Sequence, residues 1–321
     1  MRPLYLGIEI GASKMQIATG NAEGELLDSR QEAVVLDSGA AGVLGWIRES
    51  VPALASGAKK FGGDVRGIGV GFGGIIESAT GLSLVSVQVK GWADFNIKAW
   101  FEQAFSLPAI VLNDTVAGGY AEFIRGSGRG SEIFFYTNIG SGIGGALIIR
   151  GEWYDGLGTG ASYLGHTYIP DWTSPLPGAL RKVEDLCSGF AIEKRLRSEG
   201  YVPPDSMLMS LCGGTREILT CPMLGEAARA GDHFALAEID RVARSFATGL
   251  TNVITLTSPD RVSIGGGVAK LGDVLLDPIR AYADELAFIS TRGRYKIVRG
   301  DLGDAAVPMG AVLAAARRES H

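Results

Sequence analysis

Cysteine and histidine are scarce in this chain. Cys187, Cys212 and Cys221 are its only thiols, and it has 3 histidines. An odd number of cysteines without C-x-x-C spacing excludes a disulfide framework and a zinc ribbon, and fits reduced, buried thiols in a cytoplasmic protein. Long apolar runs are also missing. The opening stretch Leu4 to Ile10 is interrupted by Glu9, is too short for the core of a signal peptide and has no small-residue cleavage site after it. No segment is long enough to span a bilayer. Neither sign of charge dominates: 30 basic and 35 acidic residues leave a net charge of -5, with no block of one sign that would make a nucleic-acid arm. Two nucleotide signatures are absent as well, the Walker spacing G-x-x-x-x-G-K-[ST] and the full dinucleotide fingerprint, G-x-G-x-x-G with its acidic partner after a first strand.

What the chain does have is apolar material, at 46% of residues, and 47 glycines. Its 321 residues exceed what one core usually organises, so two domains or one duplicated α/β unit are expected. Leu4 to Ile10 reads as a strand, Gly11-Ala12-Ser13-Lys14 as a tight connection and Met15 to Thr19 as the antiparallel return. Leu26 to Val35 follows as a third strand after the turn Asn21 to Gly24. A helix is predicted from Gly39 to Lys60, where Val43, Leu44, Ile47, Val51 and Leu54 keep helical spacing. Then come a strand at Val65 to Phe72, a loop region holding Gly73-Gly74 and Gly91-Trp92, a helix at Phe95 to Phe105, a short buried strand at Ala109 to Leu112 and a helix from Thr115 to Phe123.

The second half restarts the same way. Phe134 to Ile139 runs into Gly140-Ser141-Gly142-Ile143-Gly144-Gly145, and Ala146 to Ile149 returns before a turn at Arg150-Gly151. A strand, glycine turn and strand that recur in mid-chain suggest duplication, with an equivalent hairpin in each half. Leu236 to Ile254 forms one long helix with an apolar stripe, ended by Ser258-Pro259. Arg261 to Ile264 is a strand leading into Gly265-Gly266-Gly267, Gly272-Asp273 opens another helix, and Pro308 precedes a last helix from Met309 to Arg317. Residues 201–225 read as loop-rich.

Glycine hairpins let backbone N–H groups approach a polyphosphate closely, which makes both hairpins candidates for phosphate loops; each is equally an ordinary turn. Asn113-Asp114 ends a strand before a helix. Asp114 reads either as an N-cap or as a general base that accepts the proton of an alcohol as it attacks phosphorus. His166 is either packed, solvent-facing or a ligand, and Glu184 is at the least an acid in the first turn of a helix.

Together these segments resemble the ROK family of bacterial sugar kinases and sugar-responsive repressors. The resemblance covers nearly the whole chain. Gly7-Ile8-Glu9-Ile10-Gly11-Ala12-Ser13-Lys14 resembles the family's first phosphate motif, Gly69 to Gly74 its sugar-loop strand, and Asn113-Asp114 the pair that holds sugar and supplies the base. Gly140 to Gly145 is similar to its second phosphate loop, and Ser263 to Gly267 to its adenosine motif. The resemblance implies a two-domain α/β actin-like ATPase (ribonuclease H-like) fold with a duplicated βββαβαβα core and an interdomain cleft. Residues 1–114 plus 305–321 are expected as one domain and 115–304 as the other. It also implies transfer of the γ-phosphate of ATP, with Mg²⁺, to a hydroxyl of a sugar-like acceptor, by a protein expected to be a homodimer. Asp114 is then the base. Gly74, Asn113, Tyr163, His166 and Glu184 bind the acceptor, Gly11 to Lys14, Gly140 to Gly142 and Gly265 to Gly267 bind the nucleotide, and Glu9 positions Mg²⁺, through water. Because the first motif lies within the first ten residues, no room is expected for the DNA-binding domain that family repressors carry ahead of it.

Two departures stand out. The family's G-E-x-G-H reads Ser162-Tyr163-Leu164-Gly165-His166 here, so Tyr163 replaces a glutamate. The family's zinc motif, C-x-C-G-x-x-G-C-x-E, aligns with Pro175, Pro177, Lys182 and Glu184, and proline and lysine cannot replace thiolates, so no structural zinc is expected. Loss of the carboxylate at 163 leaves the acceptor open: a hexose, an amino sugar or a cyclitol. A catalytically weak sugar sensor and a polyphosphate-using kinase are the alternatives.

Overall fold

The computed structural model of the protein describes residues 1–85 and 90–319. Residues 86–89, inside the stretch expected as a loop, and 320–321, at the end of the first expected domain, lie outside the described residues.

The first half is a meander followed by alternating helices and strands. Strand β1 (Arg2–Ile10) is joined by a hairpin to β2 (Lys14–Asn21), then come β3 (Leu26–Ala33), helix α1 (Gly39–Gly57) and β4 (Gly63–Phe72). Three short strands, β5 (Ile75–Glu77), β6 (Leu82–Val85) and β7 (Phe95–Asn96), make a small separate sheet before α2 (Ile97–Phe105), β8 (Ala109–Asn113) and α3 (Asp114–Arg125). The main sheet has the order β3-β2-β1-β4-β8. β1 pairs antiparallel with β2 and parallel with β4, and β4 pairs parallel with β8. The central strands are buried on both faces, which is why Leu4 to Ile10 reads as a near-continuous apolar run rather than an alternation.

The second half repeats this plan with larger insertions. β9 (Ile133–Ile139), β10 (Ile143–Ile149) and β11 (Glu152–Trp153) form the meander. A hairpin of β12 (Tyr168–Pro170) and β13 (Leu180–Lys182) follows, then the helices α4 (Val183–Cys187), α5 (Gly189–Leu196), α6 (Met207–Leu211), α7 (Cys221–Arg229) and α8 (His233–Thr257). β14 (Arg261–Gly265), α9 (Asp273–Leu286), β15 (Lys296–Arg299) and α10 (Ala306–Glu319) complete the chain. The second main sheet has the order β11-β10-β9-β14-β15, the same 3-2-1-4-5 pattern as the first, so the duplication expected from the glycine hairpins extends through the topology.

Packing divides the chain into two compact units. The first contains Met1–Glu132, Ala146–Ala161 and the described residues from Asp301 onward; the second contains Ile133–Gly145 and Ser162–Gly300. Helix α3 therefore belongs with the first unit, and the boundary set by packing falls after Glu132 rather than at Asp114. The fold is a mixed α/β fold of the actin-like ATPase type.

Several local expectations shift. Pro308 is the third residue of α10, not its predecessor; in a first turn its missing N–H has no intrahelical partner to lose. Residues 201–225 contain α6 and the start of α7, whose Pro222 sits at a helix start. Gly265-Gly266-Gly267 is followed by a 3₁₀ turn, Val268–Leu271, and α9 then opens at Asp273 with Gly272 before it, as expected. All three cysteines are buried and free. Among the described residues, no helix is long and apolar enough to cross a membrane.

Candidate active site

In the first unit the parallel strands end level. Ile10 is in register with Phe72, and Phe72 with Asn113, so the carboxyl ends of β1, β4 and β8 form one edge. Ligands of open α/β sheets bind beyond such an edge. Beyond it lie the Gly11–Lys14 hairpin, the Gly73-Gly74 loop and the start of α3.

Asn113, and not Asp114, caps α3. Its side-chain oxygen accepts from the amides of Thr115 at 3.0 Å and Val116 at 3.3 Å, while its Nδ2 donates to the carbonyl of Gly74 at 3.2 Å. One amide side chain thus fixes the helix start and ties it to the loop after β4. Asp114 is the first helical residue, and its Oδ1 accepts from the Thr115 amide at 2.7 Å and from the Thr115 hydroxyl at 3.3 Å. Its Oδ2 faces Gly73, where an added Cβ would lie 3.3 Å from it. Burial pushes the Asp114 pKa up to about 6, against the lowering effect of the Thr115 bonds. A carboxylate so placed is ionised at neutral pH yet basic enough to take a proton.

Glu9 lies on β1 with 8% of its surface exposed. The Lys14 ammonium sits 3.5 Å from Glu9 Oε2 and 3.5 Å from Asp304 Oδ1. That ion pair does not complete a hydrogen bond, and Oε2 is a buried oxygen without one. Burial raises the Glu9 pKa to about 7; Lys14 pulls it down, while Asp114 and Asp304 push it up. Because the folded-state pKa lies above the usual 4.5, the fold favours the protonated form. Stability from that preference is present at low pH and lost as pH rises through 7. Glu9→Gln should therefore stabilise the nucleotide-free protein by about 3 kcal/mol at pH 8 and by under about 1 kcal/mol at pH 5. Denaturant unfolding at both pH values measures this, and an equal gain at both would contradict it.

The hairpin tips of the two halves share one property. In the first, the Gly11 amide donates to the Lys14 carbonyl at 3.1 Å, and no acceptor among the described residues takes the amides of Ala12 or Ser13. In the second, the Gly140 amide donates to the Gly142 carbonyl at 2.9 Å, and the amides of Ser141 and Gly142 are likewise left to other acceptors. Paired free amides at a glycine turn concentrate positive partial charge suited to an anion.

The second unit also holds the segment expected to bind the acceptor. Tyr163 precedes a 3₁₀ turn, Leu164–His166, and its ring stands edge-on to the His166 ring, 6.2 Å between centroids. His166 is exposed, and its Nδ1 lies 3.4 Å from the Lys182 ammonium. Glu184, in the first turn of α4, accepts the Ile143 amide at 2.7 Å through Oε2. Gly266 has a φ of 88° and packs so closely on β9 that an added Cβ would lie 2.5 Å from the Ile139 carbonyl. Gly267, in contrast, has no atom within 4 Å of such a Cβ.

The structure thus gathers Glu9, Gly11 to Lys14, Gly74, Asn113 and Asp114 at one edge of the first unit. Within the second unit, Glu184 is bonded to the hairpin of Gly140 to Gly142, Tyr163 and His166 are neighbours, and Gly266 packs on β9. Sequence reasoning missed Asp304 and Lys182. Asp304 reaches Lys14 because the chain returns to the first unit at Asp301, which no local pattern announces; Lys182 meets His166 through the β12–β13 hairpin, where Tyr168 pairs with Lys182.

A family model for the ROK family matches residues 5–318. The chain is 30% identical over 285 residues to a glucokinase from Halalkalibacterium halodurans, covering 88% of this chain and 86% of the relative. It is 26% identical over 307 residues to a glucokinase from Thermotoga maritima, covering 95% of each. The solved ROK family glucokinase from Streptomyces griseus, in complex with glucose and AMPPNP, superposes with a TM-score of 0.82 at 27% identity, over 98% of this chain and 99% of that one. Coverage from the first strand to the last helix, with the topology repeated in both halves, leaves no part of the fold outside the likeness: the chain belongs to the ROK family.

Proposed function

We propose that the protein is an ATP-dependent carbohydrate kinase that moves the γ-phosphate to a hydroxyl of a hexose, amino sugar or cyclitol, with Asp114 as general base. One observation carries this reading: a half-buried carboxylate of raised pKa at the aligned strand ends, held by Thr115 and beside a loop fixed by Asn113. The similarity to glucokinases supports the reaction class. Asn113, Gly74, His166 and Glu184 orient the acceptor, and Tyr163 takes the place of an acidic acceptor ligand. The free amides of Ala12, Ser13, Ser141 and Gly142 hold phosphates, and Gly265 to Gly267 lie by the adenosine, with Gly267 supplying the open backbone.

The residues present fit Mg²⁺ in the way this ion usually binds, through one or two carboxylates with retained waters and substrate phosphates. Glu9 supplies a buried oxygen without a hydrogen bond, and Asp304 stands across Lys14 from it. When bound, Mg²⁺ neutralises charge on the phosphates. Lys14, held between two carboxylates, keeps its charge close to the first hairpin. Asp114 takes the hydroxyl proton as the phosphorus–oxygen bond forms and the bond to ADP breaks, so the products are ADP, the phosphate ester and a protonated Asp114 that returns its proton to solvent.

A structural zinc does not fit. Pro175 and Pro177 offer no ligand atom, and the β12–β13 loop is held by other means: Arg181 pairs with Asp171 at 2.7 Å, and Trp172 donates to the Ser245 hydroxyl at 2.8 Å.

A coupled assay for ADP release over hexoses, amino sugars and cyclitols, run with ATP and with polyphosphate, tests the proposal. Turnover of at least one acceptor with ATP is expected. The edge-on contact of Tyr163 with His166, where the family has a carboxylate, favours a sugar sensor as second reading; binding of a sugar with no phosphorylation of any acceptor would establish it instead.

A further inference from the structure

We propose that Glu184 positions the phosphate hairpin, holding the turn that presents the Ser141 and Gly142 amides. The inference rests on the reading of Gly140 to Gly145 as a nucleotide loop and assigns a structural cause to its shape.

The peptide groups on either side of the two free amides are anchored. The Gly140 amide bonds the Gly142 carbonyl, and the Gly140 carbonyl accepts from the Gly189 amide at 2.8 Å. The Gly144 amide donates to Asn138 Oδ1 at 2.8 Å, and its carbonyl accepts from the Thr137 hydroxyl at 2.7 Å. Ile143, the residue after the tip, is gripped at both ends. Its amide donates to Glu184 Oε2 at 2.7 Å. Its carbonyl is packed against Gly165, where an added Cβ would lie 2.2 Å away. Thr137 and Asn138 come from the hairpin's own strand and Gly189 uses backbone; Glu184 is the side chain that reaches the turn from a distant element. A hydrogen bond to an ionised carboxylate is roughly twice as strong as a neutral one, so this anchor outweighs its neighbours.

The bond also decides which amides are available. With Ile143 committed to Glu184 and Gly144 to Asn138, the Ser141 and Gly142 amides are the ones at the turn that no acceptor takes among the described residues. Charge argues in the opposite direction: a carboxylate beside a phosphate site repels the phosphate. If Glu184 acted only through its charge, its removal would tighten nucleotide binding. If it holds the turn, removal loosens the amide pair and weakens binding. The sign of the effect therefore separates the two roles.

The test is an equilibrium titration of the full chain with AMPPNP and Mg²⁺, without any acceptor sugar, for the wild type, Glu184→Ala and Glu184→Gln. Glu184→Ala should raise the Kd about tenfold, whereas Glu184→Gln, whose amide oxygen accepts the same N–H, should stay within about threefold of wild type. A thermal melt of each variant separates loss of the turn from loss of the fold, and the Gln variant keeps the test open if Ala fails to fold. Wild-type-like or tighter binding by Glu184→Ala overturns the inference while leaving the kinase reading standing. Failure of the wild type to bind AMPPNP overturns both.

Discussion

Asp114→Asn should lower kcat by about three orders of magnitude or more and leave the Kd for AMPPNP unchanged or slightly tighter. The substitution keeps size and keeps an oxygen that can accept from the Thr115 amide, which now bonds Oδ1 at 2.7 Å, so the start of α3 should hold. Asn113, the cap, is untouched. What changes is the proton acceptor and one negative charge. Removing that charge also relieves Glu9, whose pKa Asp114 helps to raise, and reduces repulsion of an incoming phosphate. A loss of turnover with intact nucleotide binding therefore isolates the base. The pH profile provides a second reading. Asp114 must be ionised to act, so wild-type kcat should fall as pH drops through about 6, while the residual rate of Asp114→Asn should not follow that titration. Turnover of the variant within tenfold of wild type would remove Asp114 from the mechanism.

Much of this site was legible in the sequence because its parts sit at strand ends, where short local patterns suffice. Leu4 to Ile10 followed by Gly11 to Lys14 reads as a strand and a turn whatever surrounds it, and its recurrence at Phe134 to Gly145 predicted the duplicated topology. Asn113-Asp114 was legible as a pair but not in its division of labour. Both residues cap helices well, and only the geometry assigns the cap to Asn113 and leaves Asp114 as the first helical residue. Features that depend on chain return were not legible. Asp304 joins Lys14 across nearly the whole length of the sequence, and the bond between Glu184 and Ile143 joins two segments that each look complete alone. Gly265-Gly266-Gly267 misled in part, since Gly266 answers to the close backbone of β9 as well as to any ligand. The boundary after Glu132 was missed for a related reason: α3 follows β8 in sequence order, but α10, from the other end of the chain, is what it packs against.

That packing sets the largest effect on stability. Gly310 of α10 lies so close to α3 that an added Cβ would be 1.8 Å from the Ala117 carbonyl, and Gly69 of β4 so close to α10 that one would be 1.9 Å from the Ala311 carbonyl. Both obstacles are backbone oxygens inside regular elements, which cannot turn aside as a side chain can; relief requires moving a whole helix. Ala117 is one turn from Asp114, so a shift of α3 also moves Asp114 and the loop that Asn113 holds. Gly310→Ala and Gly69→Ala should each cost more than about 4 kcal/mol, above the usual ~1–3 kcal/mol of overpacking because backbone rather than a side chain blocks the added atom, and Gly310→Ala should lower kcat in whatever fraction still folds. Gly45, an exposed residue inside α1 with no atom within 4 Å of an added Cβ, supplies the opposite case. There the same substitution should stabilise by about 0.5 to 1 kcal/mol, through helix propensity and a less flexible unfolded chain. Denaturant unfolding of the three variants compares one chemical change in two environments. If Gly310→Ala unfolds at the wild-type midpoint, α3 and α10 have room to separate, and the seat of Asp114 is softer than the close backbone contact implies.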